Sequence, residues 1–465
     1  MGNRGIPSLE ELLQLPYEEA LAQTGFDIWK TSRPWNAHLV TSSRHFHAFV
    51  EATARLIEDT EGRKRRPSDA KNAFEAAISA LVLDLYSAVC ADPDLQIGVN
   101  LNANEYGRTQ RTRYSNPRLT YRQFKAAFDG LEALEYLEIV KSGWHDSSGK
   151  GATTKLKATC KLLEALAGYG DLHHWQITRS LDAEVILLRG AKGSSERGSL
   201  LDYEDTVETN RMRESVRYIN AVIGEHYIEL AISGDKFLDL QNKLASKNNG
   251  RALELTRRCL YRVFNDGRFD RGGRFYGGWW QEVPSEYRSF ITIDGAPTIE
   301  ADYSAIHPRL LYAREGLDCP GDPYDLGLDP RHREQVKTAL NALINAGPGG
   351  IAQPKGYDPE AIGITHKELI DRVREHHEPI SKYFYSGIGL ELQFADSCMA
   401  ERVIWHFADK GLPCLPIHDS FLVQQRYSDE LVNVMCGAYA EYTGQELQGD
   451  YCERLVRVKQ SHRGE

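Results

Sequence analysis

The chain has 465 residues, 41% of them hydrophobic and 26% charged, close to globular averages that permit packed cores throughout. At roughly 150 residues per domain, this length suggests about three domains. The formal charge of −10 argues, as an average, against nucleic acid, yet binding depends on where positive charge is concentrated.

The N-terminus, MGNRGIPSLEELLQL, lacks an apolar core and a small-residue cleavage site, so no secretion signal is expected. Its Met-Gly start is not followed by Ser or Thr at the sixth position, which weakens a myristoylation reading. No stretch approaches the roughly 20 uninterrupted apolar residues of a membrane span, and no membrane partner is expected. The eight cysteines are scattered without a C-x-x-C pair. That pattern fits reduced thiols in a cytoplasmic protein better than a disulfide framework or a zinc site.

Residues 1–65 read as an N-terminal helical extension, with the basic run Arg63, Lys64, Arg65 and Arg66 at its end. Residues 66–180 begin with a buried helix over 72–89 (NAFEAAISALVLDLYSAV). A second basic cluster follows, Arg108, Arg111, Arg113, Arg118, Arg122 and Lys125, interleaved with Tyr106, Tyr114 and Tyr121. Phe124, Phe128, Leu131 and Leu134 recur at helical spacing and leave Arg122, Lys125 and Asp129 on another face. Leu137–Lys141 reads as a strand, SGWHDSSGKGAT as a polar tip, and Lys155–Thr159 as the return strand. Helix, helix and basic-tipped hairpin is the order of a winged helix-turn-helix, with Arg122 and Lys125 as candidate nucleic-acid contacts. An ordinary small α/β domain with a solvated charged face is the competing reading. Residues 181–260 read as a connection or thumb-like region: a strand and a loop (RGAKGSSERGS), then a mostly helical stretch from 206 to about 262.

Residues 261–465 carry the chemistry. Ala296–Arg309 (APTIEADYSAIHPR) reads as a strand ending at Asp302 and a turn into a helix. Leu412–Gln424 (LPCLPIHDSFLVQ) places Asp419 between apolar flanks, at a strand end or hairpin tip. Each aspartate alone reads more readily as a turn or cap residue than as a ligand. Together they can converge on a pair of divalent ions, and hard oxygen ligands suit Mg²⁺, with Mn²⁺ as the alternative.

In context, Asp302-Tyr303-Ser304-Ala305-Ile306-His307-Pro308-Arg309 resembles motif A of the family A DNA polymerases, D-Y-S-x-I-E-x-R. Ile417-His418-Asp419-Ser420-Phe421 resembles motif C, in a form closer to the single-subunit phage RNA polymerases. Between them Arg333, Lys337, Asn341 and Asn345 fall at the spacing of motif B, R-x-x-x-K-x-x-x-F/Y-x-x-x-Y. Steps of four align these side chains along a helix, while Val336, Leu340 and Leu343 form a neighbouring stripe that can pack inward. Asp270–Tyr276 (DRGGRFY) is similar to an R-G-R element that holds the template–primer duplex. Glu391–His406 resembles the helix before motif C, with Gln393 at its duplex-contacting glutamine. The resemblance covers about residues 255–465.

The resemblance implies a multidomain α/β fold: a right-hand polymerase palm with helical fingers, preceded by the winged-helix-like N-terminal region. It implies that Asp302, Asp419 and the Tyr303 carbonyl hold two metal ions. Arg333 and Lys337 bind a triphosphate, with Lys337 also catalytic, and His307, Tyr303, Asn341 and Asn345 complete the nucleotide site. Arg271, Arg274, Arg309, Gln393 and His418 contact nucleic acid. Expected partners are a DNA template–primer, nucleoside triphosphates and, less specifically, replication proteins.

The sequence departs from the family in three places. His307 replaces the glutamate that excludes a ribose 2′-hydroxyl, where the RNA polymerases have glycine. Its bulk favours dNTP use, although a neutral imidazole can also hydrogen-bond that hydroxyl. Asn341 and Asn345 replace aromatic residues of motif B, which puts sugar choice in doubt. Upstream of residue 255 no D-x-E motif stands in a strand context, so no proofreading exonuclease is expected. A DNA polymerase acting in replication or repair of a mobile or phage-like element is the first expectation. A single-subunit RNA polymerase or primase-polymerase is the alternative, and a DNA-binding replication initiator with a non-catalytic palm is the alternative of another class.

Overall fold

The computed structural model describes residues 32–459 apart from 63–65, 107–111, 146–150, 192–197, 248–251 and 355–356. The described chain is mixed α/β. It forms two compact units: one gathers Met1–Glu184, Tyr227–Cys259 and Gly277–Ile291, and the other Val185–His226, Leu260–Tyr276 and Thr292–Glu465.

In the first unit, strand β1 (Ser32–Pro34) precedes helix α1 (Arg44–Thr60), which is capped by the Ser43 hydroxyl and buries Phe46, Phe49, Val50 and Ile57. Helix α2 (Ser68–Ala91) contains the stretch expected as a buried helix. By length and composition it is apolar enough to cross a membrane, but 61% of its most apolar window is buried inside the protein, as for a core helix. Its one buried charge, Asp84, is matched by the Arg33 guanidinium at 2.8 Å. Strand β2 (Gln96–Val99), helix α3 (Tyr121–Ala133), and strands β3 (Leu137–Lys141) and β4 (Thr154–Ala158) follow. The sheet order is β1–β2–β4–β3, with β1 parallel to β2 and the other pairs antiparallel. Thus β3 and the return strand pair as the sequence implies, and a short ladder, Trp144–His145 with Gly151–Ala152, extends their connection.

The basic clusters are less free than their sequence suggests. Arg66 is buried, salt-bridged to Glu58 and Glu61 at 2.8 Å each, and stacked 3.6 Å from the Phe74 ring centre. Arg113 pairs with Glu184, Arg118 with Asp182 and Lys125 with Asp129, whereas Arg122 is exposed. Arg63, Lys64, Arg65, Arg108, Arg111 and residues 1–31 lie outside the described residues.

The second unit begins with a strand over Ile186–Leu188 and helix α4 (Val207–Glu225). The expectation of a mostly helical stretch from 206 holds for α4 and, in the first unit, for Gly234–Lys247, which follows a short strand, Ile228–Leu230. Strands β5 (Tyr261–Phe264) and β6 (Gly272–Tyr276) form an antiparallel pair. The elements that frame the site are β7 (Ala296–Tyr303), α5 (Ile306–Arg314), α6 (Arg333–Asn345), α7 (Gly389–Ala408), β8 (Leu415–Ile417), β9 (Ser420–Gln424), α8 (Ser428–Thr443) and β10 (Val456–Lys459). β7 pairs with β9 on one edge and β10 on the other, and β8 pairs with β9, all antiparallel. Strands β7 and β9 are apolar where they cross the core, with Ile299, Ala301, Phe421 and Val423 all buried.

One sequence expectation is corrected here. Cys436 and Cys452 are joined in a disulfide, their Cα atoms 5.9 Å apart, so the thiols are not all reduced. Helix α8 and the short helix Tyr451–Leu455 before β10 bring together two residues that no C-x-x-C spacing signals.

Candidate functional site

Strand β7 carries Asp302 at its end, and the two-residue turn His418-Asp419 links β8 to β9. Register places Asp302 opposite Ser420 on β9, so Asp419 is one residue from its cross-strand neighbour. The Tyr303 N–H donates to the Asp419 carbonyl at 3.1 Å and fixes the hairpin tip against the strand end. His418 has φ +59°, a left-handed conformation that few side chains other than Asn, Asp and His adopt readily. A two-residue hairpin turn that matches strand twist calls for such a φ at its first central position. The two aspartates of the sequence motifs are therefore brought together.

The electrostatics of Asp302 are unusual. Burial pushes the Asp302 carboxyl above the usual range; Lys459 and Arg457 oppose this, while Asp419 and Glu300 add to it. Asp302 Oδ1 is buried without a hydrogen bond, and the Lys459 ammonium lies 4.0 Å away. Glu300 accepts from Lys459 at 2.6 Å and from the Ser420 hydroxyl at 2.9 Å. A buried carboxylate oxygen with no donor, beside a second carboxylate, suits a hard divalent cation. Among the described residues no group of three or more His, Cys, Asp and Glu side chains converges as a ligand set. Two aspartates would need water or phosphate oxygens to complete a shell, as is usual for Mg²⁺.

Tyr303 contributes through its main chain. Its ring is buried and its hydroxyl donates to the Met435 carbonyl at 2.7 Å. On α6 the apolar stripe Val336, Leu340 and Leu343 is buried as expected. Arg333 is held by Asp322 at 2.6 and 3.1 Å and lies 4.9 Å from the Tyr324 ring centre. Lys337 is half-exposed, 3.5 Å from Glu334. Asn345 donates to the Asn341 carbonyl at 2.8 Å, closing part of the motif B row on itself.

The nucleic-acid residues divide. Arg274 lies on β6, its Nε 3.1 Å from each oxygen of the buried Asp396 on α7. Burial works against its charge, but Asp396 and the nearby charge of Asp419 outweigh this and raise its pKa. Arg274 is thus committed to a carboxylate rather than free for a phosphate. His307 joins the same cluster, its Nε2 3.0 Å from Asp396 and 3.3 Å from Arg274. Donation from Nε2–H to the carboxylate leaves Nδ1 as the imidazole's acceptor. Gly273, with φ +81°, serves helix packing: a Cβ there would sit 2.8 Å from Phe264 and Ser397.

Arg271 bridges Asp266 at 3.1 Å and Glu391 at 3.6 Å, and Gln393 is half-buried on α7. The His418 ring lies 6.1 Å from that of Tyr276. Arg309 is 1% exposed and donates to the carbonyls of Ser304, Gly321 and Arg454 at 2.8, 3.2 and 3.1 Å. It braces the chain around the site and is not placed to touch nucleic acid.

Sequence reasoning missed Glu300, Asp396, Arg457 and Lys459. Glu300 stands two residues before Asp302, on the same face of the strand. The alternation Val456-Arg457-Val458-Lys459 also signals a strand with one charged face. Nothing in the sequence signals the pairing of Asp396 with Arg274.

No protein-family model matches the chain, and no curated protein matches it. Among solved structures, the POL domain of Pol1 from M. smegmatis, in complex with DNA primer-template and dNTP, is similar at 14% identity and a TM-score of 0.29. The match covers 91% of this chain and 66% of that one, so the chain spans just under two thirds of its length.

Proposed function

We propose that this chain is a template-directed nucleotidyl transferase of the right-hand kind: a DNA polymerase without proofreading, acting in the cytoplasm in replication or repair of a mobile or phage-like element. The observation that carries the reading is the convergence of Asp302 and Asp419, locked by the Tyr303 N–H, with a buried Asp302 oxygen lacking a donor. Asp302, Asp419 and the Tyr303 main chain would hold the metal. Divalent ions bound there supply charge neutralisation at the attacking and leaving oxygens of an in-line displacement.

The chain's own residues position the rest. Arg333 forks onto phosphate oxygens once it leaves Asp322, and Lys337 adds a point charge and a proton donor for the leaving pyrophosphate. A primer 3′-hydroxyl attacks the α-phosphorus, held in line mainly by positioning. The β2–β4–β3 order, with α3 directly ahead of the β3–β4 hairpin, supports the winged-helix reading of 66–180 as a duplex-binding module. Segment 261–465 is read as palm and fingers.

The test is extension of primed and unprimed templates with dNTPs and NTPs supplied separately. Asp302→Asn and Asp419→Asn should each abolish synthesis while leaving duplex binding nearly unchanged. Substantial residual synthesis by either variant would sink the assignment. NTP incorporation on an unprimed template would instead favour the RNA polymerase or primase-polymerase reading.

A further inference from the structure

Beside the Asp302 strand end lies a cleft of about 580 Å³. Its walls include Ser304, Asp322, Arg333, Glu453, Arg454 and Arg457, so three arginines and two acids line one concavity. Their local partners differ. Arg333 is engaged by Asp322, and Arg454 lies 3.2 Å from Asp450. Arg457 is exposed and, among the described residues, lies within hydrogen-bond or ion-pair distance of no partner, while its charge acts on Asp302 and Asp322. The register places Arg457 directly opposite Asp302. Cross-strand neighbours project from the same face of a sheet, so the free guanidinium and the orphaned carboxylate share one surface.

We propose that Arg457, on the last strand, is a phosphate-binding residue of this site, taking the polyphosphate chain of the substrate together with Arg333. Asp322 is the internal counter-ion that occupies Arg333 until a phosphate displaces it. A planar guanidinium matches two phosphate oxygens at once, which a solvated surface arginine does not exploit. Both carboxylate oxygens of Asp322 already accept from Arg333, the geometry a phosphate would take over. The inference rests on the nucleotidyl-transfer reading only for the identity of the molecule that carries the phosphates.

The experiment is calorimetric titration of the full chain with inorganic tripolyphosphate, first in EDTA and then with Mg²⁺. Loss of one charge-assisted contact should weaken binding by Arg457→Gln roughly tenfold. Arg457→Lys should fall between that variant and the unchanged protein. Arg426→Gln, the same charge change at an exposed site, should bind as the unchanged protein does, and Asp322→Asn should bind more tightly. Binding by Arg457→Gln within roughly twofold of the unchanged protein overturns the inference, as does equal weakening by Arg426→Gln. The titration needs neither template nor nucleotide. Arg457-dependent binding without any nucleotide incorporation therefore overturns the polymerase reading alone.

Discussion

Replacing Arg309 by Met separates a structural brace from a nucleic-acid contact. The guanidinium donates three hydrogen bonds to main-chain carbonyls, of Ser304, Gly321 and Arg454, and lies 5.3 Å from the Tyr451 ring centre. Hydrogen bonds from a charged donor contribute about 1.5 kcal/mol or more each, and three main-chain carbonyls, those of half-buried Ser304 and Arg454 and of exposed Gly321, would lose this donor. Methionine recovers part of the packing, which leaves a net cost of about 4 kcal/mol. For a body of this size that lowers the unfolding midpoint by roughly 8–16 °C. Thermal unfolding followed by circular dichroism measures the loss. Arg309→Lys should recover little, because an ammonium cannot span three divergent acceptors. An Arg309→Met protein that melts within about 2 °C of the unchanged chain yet loses duplex affinity would refute the brace and restore the nucleic-acid role.

Two further perturbations address the site. Because the folded-state pKa of Asp302 is raised, ionising it costs stability as pH climbs through that value, and the cost is absent below the ordinary Asp range. In EDTA, Asp302→Asn should melt higher than the unchanged protein near pH 8, where the carboxylate is charged, and the two should converge near pH 3. Parallel melting curves at all pH values would remove the electrostatic argument. His307→Gly should raise NTP incorporation relative to dNTP by roughly tenfold or more if the imidazole excludes a 2′-hydroxyl, as competition assays on a primed template would read. An unchanged ratio leaves His307 as a packing partner of Asp396 only.

Much of the local architecture was legible in the sequence. Strand–turn–helix at Asp302, the hairpin at Asp419, the row on α6 and the long α7 each carry a periodic or turn signal within a short window. What escaped is long-range partner choice. Arg274 reads as a free cation until Asp396, 122 residues away, is folded against it, and Arg309 reads as an exposed motif residue until three carbonyls surround it. The same holds for Arg66 and for the Cys436–Cys452 bond. A basic residue in a motif reports its charge, but whether that charge is already spent depends on tertiary contacts. Gly273 makes the point for the backbone: its missing Cβ admits α7, a neighbour that no local pattern names.

The carboxylates around the strand end show why the unmatched one matters. Glu300 is satisfied by Lys459 and Ser420, Asp396 by Arg274 and His307, and Glu401 by Arg262 at 2.7 Å. Asp302, among these four, keeps a buried oxygen with no donor. The fold has cations at hand, since Lys459 stands 4.0 Å away and Arg457 is directly across the ladder. Neither donates to it, since Lys459 is engaged by Glu300, and a carboxylate kept only for structure would gain from such a contact. The hairpin tip beside it turns in two residues through the positive φ of His418, which keeps Asp419 against the strand end. An unpaired acid is a cost that packing does not explain. It is accounted for if the Asp302 oxygen is reserved for a ligand that Asp419 also reaches.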